Sequence, residues 1–223
     1  MNLQSSILKV LAYFDLFHYP VTKEEIHRFL DRPATPGDLN INLLHLMDMG
    51  IVHNVNDYYT LQKDASLVSR RLSDNARAQK LLLKAERISR FLYRFPYVRG
   101  VGISGSLSKN VADEHADIDY FVITKANRLW IARTIMHFFK KLTFITGHQH
   151  WFCMNYFVDE KGLEIEEKNI FTATEMVTLL PMFGEPTFKK FIEANQWPGG
   201  YFPNQIPKKN QTGASALIIE KNI

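Results

Sequence analysis

A single cysteine, Cys153, in 223 residues excludes a disulfide framework and a zinc site built from cysteines. Long apolar runs are missing too. The most apolar long stretch, residues 129–146, is interrupted by Arg133, Lys140 and Lys141 and does not read as a membrane span. Residues 1–17 lack a basic start followed by an apolar core, so no signal peptide is expected. Repeats and low-complexity tracts are absent. These absences lead to the expectation of a cytoplasmic protein with no membrane partner. Net charge is also small, +4 from 27 Lys and Arg against 23 Asp and Glu. What remains, 46% apolar and 22% charged residues, is ordinary globular usage in a length that suits one large domain or two small ones.

Basic residues are missing from one region in particular. Ile7, Leu8, Leu11, Phe14 and Phe17 follow helical spacing, and Pro20 lies beyond the helix they form. Thr22 and Glu25 form a capping box for a second helix that carries Ile26, Phe29 and Leu30. Thr35 caps a third, with Pro36 at its first position and Gly50 behind it. Two short strands around Asn56-Asp57 complete the order of a winged helix-turn-helix. Such a module binds DNA through its third helix. Here residues 36–61 contain no Lys or Arg, and residues 1–62 hold four basic residues against seven acidic, net −3. Duplex binding depends on neutralising phosphates, so specific duplex DNA is disfavoured as a partner and a packing or docking role is expected.

Residues 63–96 read as a long helix or helix pair. Ala78, Leu81, Leu82, Ala85, Ile88, Leu92 and Phe95 make its apolar stripe, with Arg77, Lys80, Lys84, Arg87 and Arg94 beside it. Nine basic residues against three acidic give the segment +6, as a solvated face or as a track for phosphates.

The stretch that carries chemistry runs from Gly100 to Thr124. Residues 98–104 read as a strand, Gly105-Ser106 as a turn opening a short helical segment, and residues 118–123 as a second strand. Asp117 and Asp119 stand two apart at the head of that strand, so both carboxylates share one face. Two carboxylates on one face suit Mg²⁺, a hard cation that commonly takes one or two carboxylates together with substrate phosphates. The Gly-Ser turn offers a close backbone approach, free N–H groups and a hydroxyl suited to phosphate.

Gly-Ser, ten residues (107–116), then Asp-x-Asp leading into an apolar strand resembles the signature of the DNA polymerase β-type nucleotidyltransferase superfamily. The resemblance covers about twenty-five residues. It implies an α/β (α+β) fold in which a mixed sheet is flanked by helices, here preceded by the winged-helix-like module. It also implies Mg²⁺ (or Mn²⁺) held by Asp117 and Asp119. The substrate would be a nucleoside triphosphate, and the acceptor a small molecule, protein or RNA. Gly105 and Ser106 would hold phosphate. Lys109, in Ser108-Lys109-Asn110, would stand where many members carry Arg in an Ala-Arg-Gly run. The implied boundaries are 1–62 for the winged-helix-like module, 63–95 for a helical connector, 96–196 for the nucleotidyltransferase-like domain and 197–223 for an irregular tail.

The superfamily places a third carboxylate on a later strand. Residues 127–144 read as a helix and 151–158 as that strand, whose central polar residue is Asn155. An amide takes no proton as a carboxylate does and binds Mg²⁺ more weakly. Residues 163–167 read as a further strand with Glu164 and Glu166 on one face. Three cases stay open: Glu164 or Glu166 substitutes, Asn155 completes a site of two carboxylates, or catalysis is impaired. The last case is a nucleotide-binding or protein-interaction protein that keeps the fold. His148 and His150 alternate before a strand without an evident third ligand, and His115 lies in a loop two residues before Asp117. Residues 171–183 read as a helix bent or ended by Pro181, followed by a helix over 187–195. The Trp197-Pro-Gly-Gly-Tyr201-Phe202 segment reads as an aromatic cover. The tail from Lys208 to Ile223 is polar and then apolar.

Overall fold

The first three helices begin where a short polar side chain can satisfy a free backbone N–H. In the computed structural model, which describes residues 2–143 and 151–205, α1 (Leu3–Asp15) is capped by Asn2, which accepts from the Ser5 N–H. A two-residue strand, β1 (Val21–Thr22), leads directly into α2 (Lys23–Phe29). There the Thr22 hydroxyl accepts from the Glu25 N–H at 3.2 Å, and the Glu25 carboxylate accepts from the Thr22 N–H at 2.9 Å. Thr35 caps α3 (Pro36–Asp48) through the Asp38 N–H. The hairpin β2 (His53–Val55) and β3 (Tyr58–Thr60) turns through Asn56 and Asp57 at φ of 51° and 66°. Two consecutive left-handed residues match the twist of a tight hairpin. β3 also pairs antiparallel with β1, giving a three-stranded sheet in the order β1-β3-β2.

The chain divides into two compact units: residues up to Ser73 with the segment that begins at Trp197, and Asp74–Gln196. The first is centred on Ile7, Leu11, Ile26, Leu30, Leu39 and Leu43, all nearly inaccessible. The Trp197 segment closes this core as an aromatic cover. Phe202 is buried and meets Phe29 edge-to-face at 5.3 Å. Asn204 accepts from the Ala34 N–H at 3.1 Å and donates to the Arg32 carbonyl at 2.7 Å.

Residues 63–96 hold one helix, α4 (Ser66–Leu92), whose course passes from the first unit into the second. In the first, the buried Arg71 guanidinium donates to the Pro20 carbonyl and to Glu25 at 2.8 Å, stacked against Tyr19 and Tyr58. In the second, Ala78, Leu82, Ala85 and Leu92 enter the core.

The second unit continues with β4 (Val98–Ile103), α5 (Gly105–Ser108), β5 (Asp119–Thr124), α6 (Leu129–Thr143) and β6 (Cys153–Asp159). It ends with α7 (Ile170–Thr178), β7 (Leu180–Phe183) and α8 (Glu185–Ala194). The four strands form a mixed sheet in the order β6-β5-β4-β7, with β5 parallel to β6 and β4 antiparallel to both neighbours. Alternation along β5 separates two cores. Tyr120 and Val122 pack with Ala78, Leu82 and Met136 from α4 and α6, whereas Phe121 and Ile123 pack with Phe188 and Phe191 from α8. This is the mixed α/β architecture, a mixed sheet flanked by helices, that the sequence led us to expect.

Two expected elements are corrected. Residues 163–167 form no strand. The Ile165 N–H donates to the Asn195 side-chain carbonyl at 2.8 Å, and the Asn195 amide donates to the Leu163 carbonyl at 2.7 Å. A side chain thus satisfies the backbone groups that a strand partner would have taken. Residues 171–183 are not one helix either. α7 stops at Thr178 and β7 follows, pairing with β4 through Pro181 opposite Gly102. A strand at the sheet edge tolerates a proline that lacks the N–H a helix or central strand needs. His148, His150 and the tail from Lys208 lie outside the described residues.

Candidate active site

The site is built where β4 ends and β5 begins. Ile118 is fully buried, so the extended chain turns Asp117 and Asp119 together to the opposite face, both partly exposed. The chain between β4 and β5 leaves the sheet at Gly105, with φ of +67°. A Cβ built there would stand 2.3 Å from the Asp119 Oδ2, so the carboxylate packs directly on bare backbone. A side chain at 105 would be both conformationally strained and sterically blocked.

Behind this turn lies a carboxylate that sequence reasoning missed. Glu175, on α7, accepts from the Gly105 N–H at 3.1 Å and from the Lys109 ammonium at 2.5 Å. Lys109 donates to the Gly105 carbonyl at 3.0 Å, and the Ser108 hydroxyl to the same carbonyl at 2.8 Å. Ser106 faces solvent and His115 is exposed. Of the expected acids, Glu164 is exposed and paired with Lys168 at 2.6 Å, and Glu166 is exposed. One signal for Glu175 was present in the sequence: it is the sole charged residue between Lys168 and Glu185.

Asn155 reaches the pair from β6. The parallel ladder shifts register between Tyr120 and Phe121, where Met154 and Tyr156 are the partners, so Asn155 is the extra residue of a bulge. Bulges re-aim side chains, and this one directs the Asn155 amide to donate to Asp119 Oδ1. The Cys153 thiol donates to the Asn155 carbonyl oxygen at 3.0 Å, and the Lys140 ammonium lies 3.8 Å from the sulfur.

Burial holds the Asp119 carboxyl above the usual carboxylate range, and the negative charges of Asp117 and Glu175 add to this against the opposing pull of Cys153 and Lys109. Burial likewise raises the Cys153 thiol, with Lys140 opposing and Asp119 and Asp117 reinforcing. Two carboxylate oxygen donors on one face, with burial disfavouring the charged form of Asp119, fit a hard divalent cation. Among the described residues no group of three or more His, Cys, Asp or Glu converges as a ready cage. The pair would therefore supply part of a coordination shell, the usual situation for Mg²⁺ beside phosphates. Compared with known proteins, the chain matches no family model, no curated protein and no solved structure.

Proposed function

We propose that the second unit is a Mg²⁺-dependent nucleotidyltransferase that moves a nucleoside monophosphate from a nucleoside triphosphate to an acceptor. The observation that carries this reading is the seating of the Asp119 carboxylate, with Asp117 on the same face, against the bare backbone of Gly105. The mixed sheet supports a nucleotidyltransferase-type fold. The three helices and three-stranded sheet of the first unit support a winged-helix-like module.

In this reading Asp117 and Asp119 hold the metal, Ser106 and Lys109 face the phosphates, and Gly105, whose N–H donates to Glu175, gives the close backbone approach. Mg²⁺ supplies charge neutralisation and in-line alignment of the attacking and leaving oxygens. Lys109 contributes a point charge toward the triphosphate, held by Glu175 and the Gly105 carbonyl. An acceptor oxygen bonds to the α-phosphorus, the bond to the bridging oxygen breaks, and pyrophosphate leaves. With an amide at 155, the carboxylates of the cluster able to take the acceptor's proton are Asp117, Asp119 and Glu175.

Asn155 favours a second reading. Its amide binds Asp119 where the superfamily pattern has a carboxylate, which suits a protein that binds nucleotide without turnover. Incubation with labelled ATP, GTP, CTP or UTP and Mg²⁺ or Mn²⁺ separates the two. Pyrophosphate release that vanishes in Asp117→Ala and Asp119→Ala supports transfer. Saturable nucleotide binding without release supports the second reading, and neither result sinks both.

A further inference from the structure

The outer surface of α6 has a composition that neither unit's core explains. Ala132 and Met136 face the sheet and are fully buried. Ile131, Ile135, Phe138 and Leu142 recur at steps of four, three and four, so they form one stripe along the helix, and all are exposed. Phe138 is 65% accessible, and Trp130, beside this stripe at the helix start, 73%. Isolated exposed apolar residues are ordinary, but five on one helix form a patch.

Charge distinguishes what could cover it. Residues 125–143 contain five Lys and Arg and no Asp or Glu. Lys125, Arg128, Arg133 and Lys141 are exposed, and Arg133 sits 5.5 Å from the Trp130 ring centroid. Lys140 turns inward to Cys153. The neighbouring His137 is pushed below its ordinary value by burial and then by Arg133, Lys140 and Lys141, a sign of the positive field on this side. A second copy of the helix would bring like charges together. A nucleic acid could stack on Trp130 and Phe138 but would meet aliphatic Ile131, Ile135 and Leu142 over the rest of the patch, which offer no stacking face.

We infer that α6 docks the protein on an anionic lipid surface, with Trp130, Ile131, Phe138 and Leu142 entering the headgroup boundary and Arg133 and Lys141 meeting acidic headgroups. Large apolar and basic side chains without acids on one helix are the attributes of an interfacial helix, which lies on a bilayer rather than spanning it. No helix among the described residues is long and apolar enough to cross a membrane. Binding of this kind stands apart from the expectation of no membrane partner, which rested on the lack of a span. It does not depend on the proposed nucleotidyl transfer.

The test is flotation of the full chain with vesicles of phosphatidylcholine alone and of phosphatidylcholine with 30 mol% phosphatidylglycerol, an anionic fraction of about a third. The expected result is binding to the mixed vesicles only, reduced at least ~10-fold by Phe138→Ser with Trp130→Ser and also by Arg133→Gln with Lys141→Gln. Circular dichroism checks that these surface variants remain folded. Three results would overturn the inference: no binding to anionic vesicles, binding that both variant pairs leave unchanged, or loss of a dimer in Phe138→Ser by light scattering without vesicle binding. Retention of single-stranded RNA in place of vesicles would overturn it as well.

Discussion

Gly105 carries two constraints at once, a left-handed backbone and a carboxylate against its missing side chain. Gly105→Ala is expected to cost about 1–3 kcal/mol of stability in a denaturant titration and to displace Asp119, weakening Mn²⁺ binding measured by paramagnetic resonance. Asp119 makes the opposite trade. Its carboxyl is held above the ordinary range by burial, then by Asp117 and Glu175. The folded protein therefore keeps a proton that the unfolded chain has already lost. Stability falls as pH rises from the ordinary carboxylate value through the raised one, and it stays lower above that. Asp119→Asn removes this loss. At pH 7 without metal, the variant should melt at a higher temperature than the parent chain, and under the proposed nucleotidyl transfer its pyrophosphate release should fall at least ~100-fold. Added Mg²⁺ should raise the melting temperature of the parent alone. A variant that melts lower in metal-free buffer would contradict this account of the site.

At the scale of elements, what each strand and helix presents depends on features that periodicity does not carry. The bulge in β6 selects Asn155, rather than a neighbour, to meet Asp119. α7 ends one residue before β7, and this short passage places Glu175 behind the Gly105 turn while Leu180–Phe183 closes the sheet edge. α4 contributes Arg71, nearly inaccessible, to the first unit. Its guanidinium unites the Pro20 carbonyl, Glu25 and two tyrosine rings. Planar forked recognition of this kind is beyond a lysine. Arg71→Met is expected to cost about 3 kcal/mol, because Glu25 loses its charge partner in a partly buried setting. Arg71→Lys should recover only part of that loss, both read by urea titration.

Across the whole molecule, elements with a local signal were legible in the sequence. The capped helices, the Asn56-Asp57 hairpin and the strands around Asp117 and Asp119 follow from caps, left-handed turn residues and alternation. The errors arose where distant residues intervene. Asn195 satisfies the backbone of residues 163–165 in place of a ladder. β7 exists because β4 offers it an edge, and no local pattern signals that edge. Glu175 joins Gly105 across seventy residues, and spacing within one motif could not reveal it. Charge followed the same rule: the basic surplus resides in residues 63–96 and not in the acidic module ahead of it. Phe202 belongs with these distant partners. Phe202→Ala is expected to cost about 3 kcal/mol and to make residues 1–73 more sensitive to limited proteolysis than residues 74–196, judged by the order in which fragments appear.

The Asn204 contacts with Ala34 and Arg32 span 170 and 172 positions of sequence. The first unit is thus interrupted by the second and finished by a segment translated after it. On a ribosome that adds about 5–20 residues per second, the early helices wait many seconds for Phe202 and Asn204, with the Phe29 ring uncovered. The later-made unit needs α8 and Asn195 and ends at Gln196, just ahead of the segment that the first unit waits for. A chain that stopped before Trp197 would therefore hold every residue of the second unit through Gln196 and leave the first without Phe202 and Asn204.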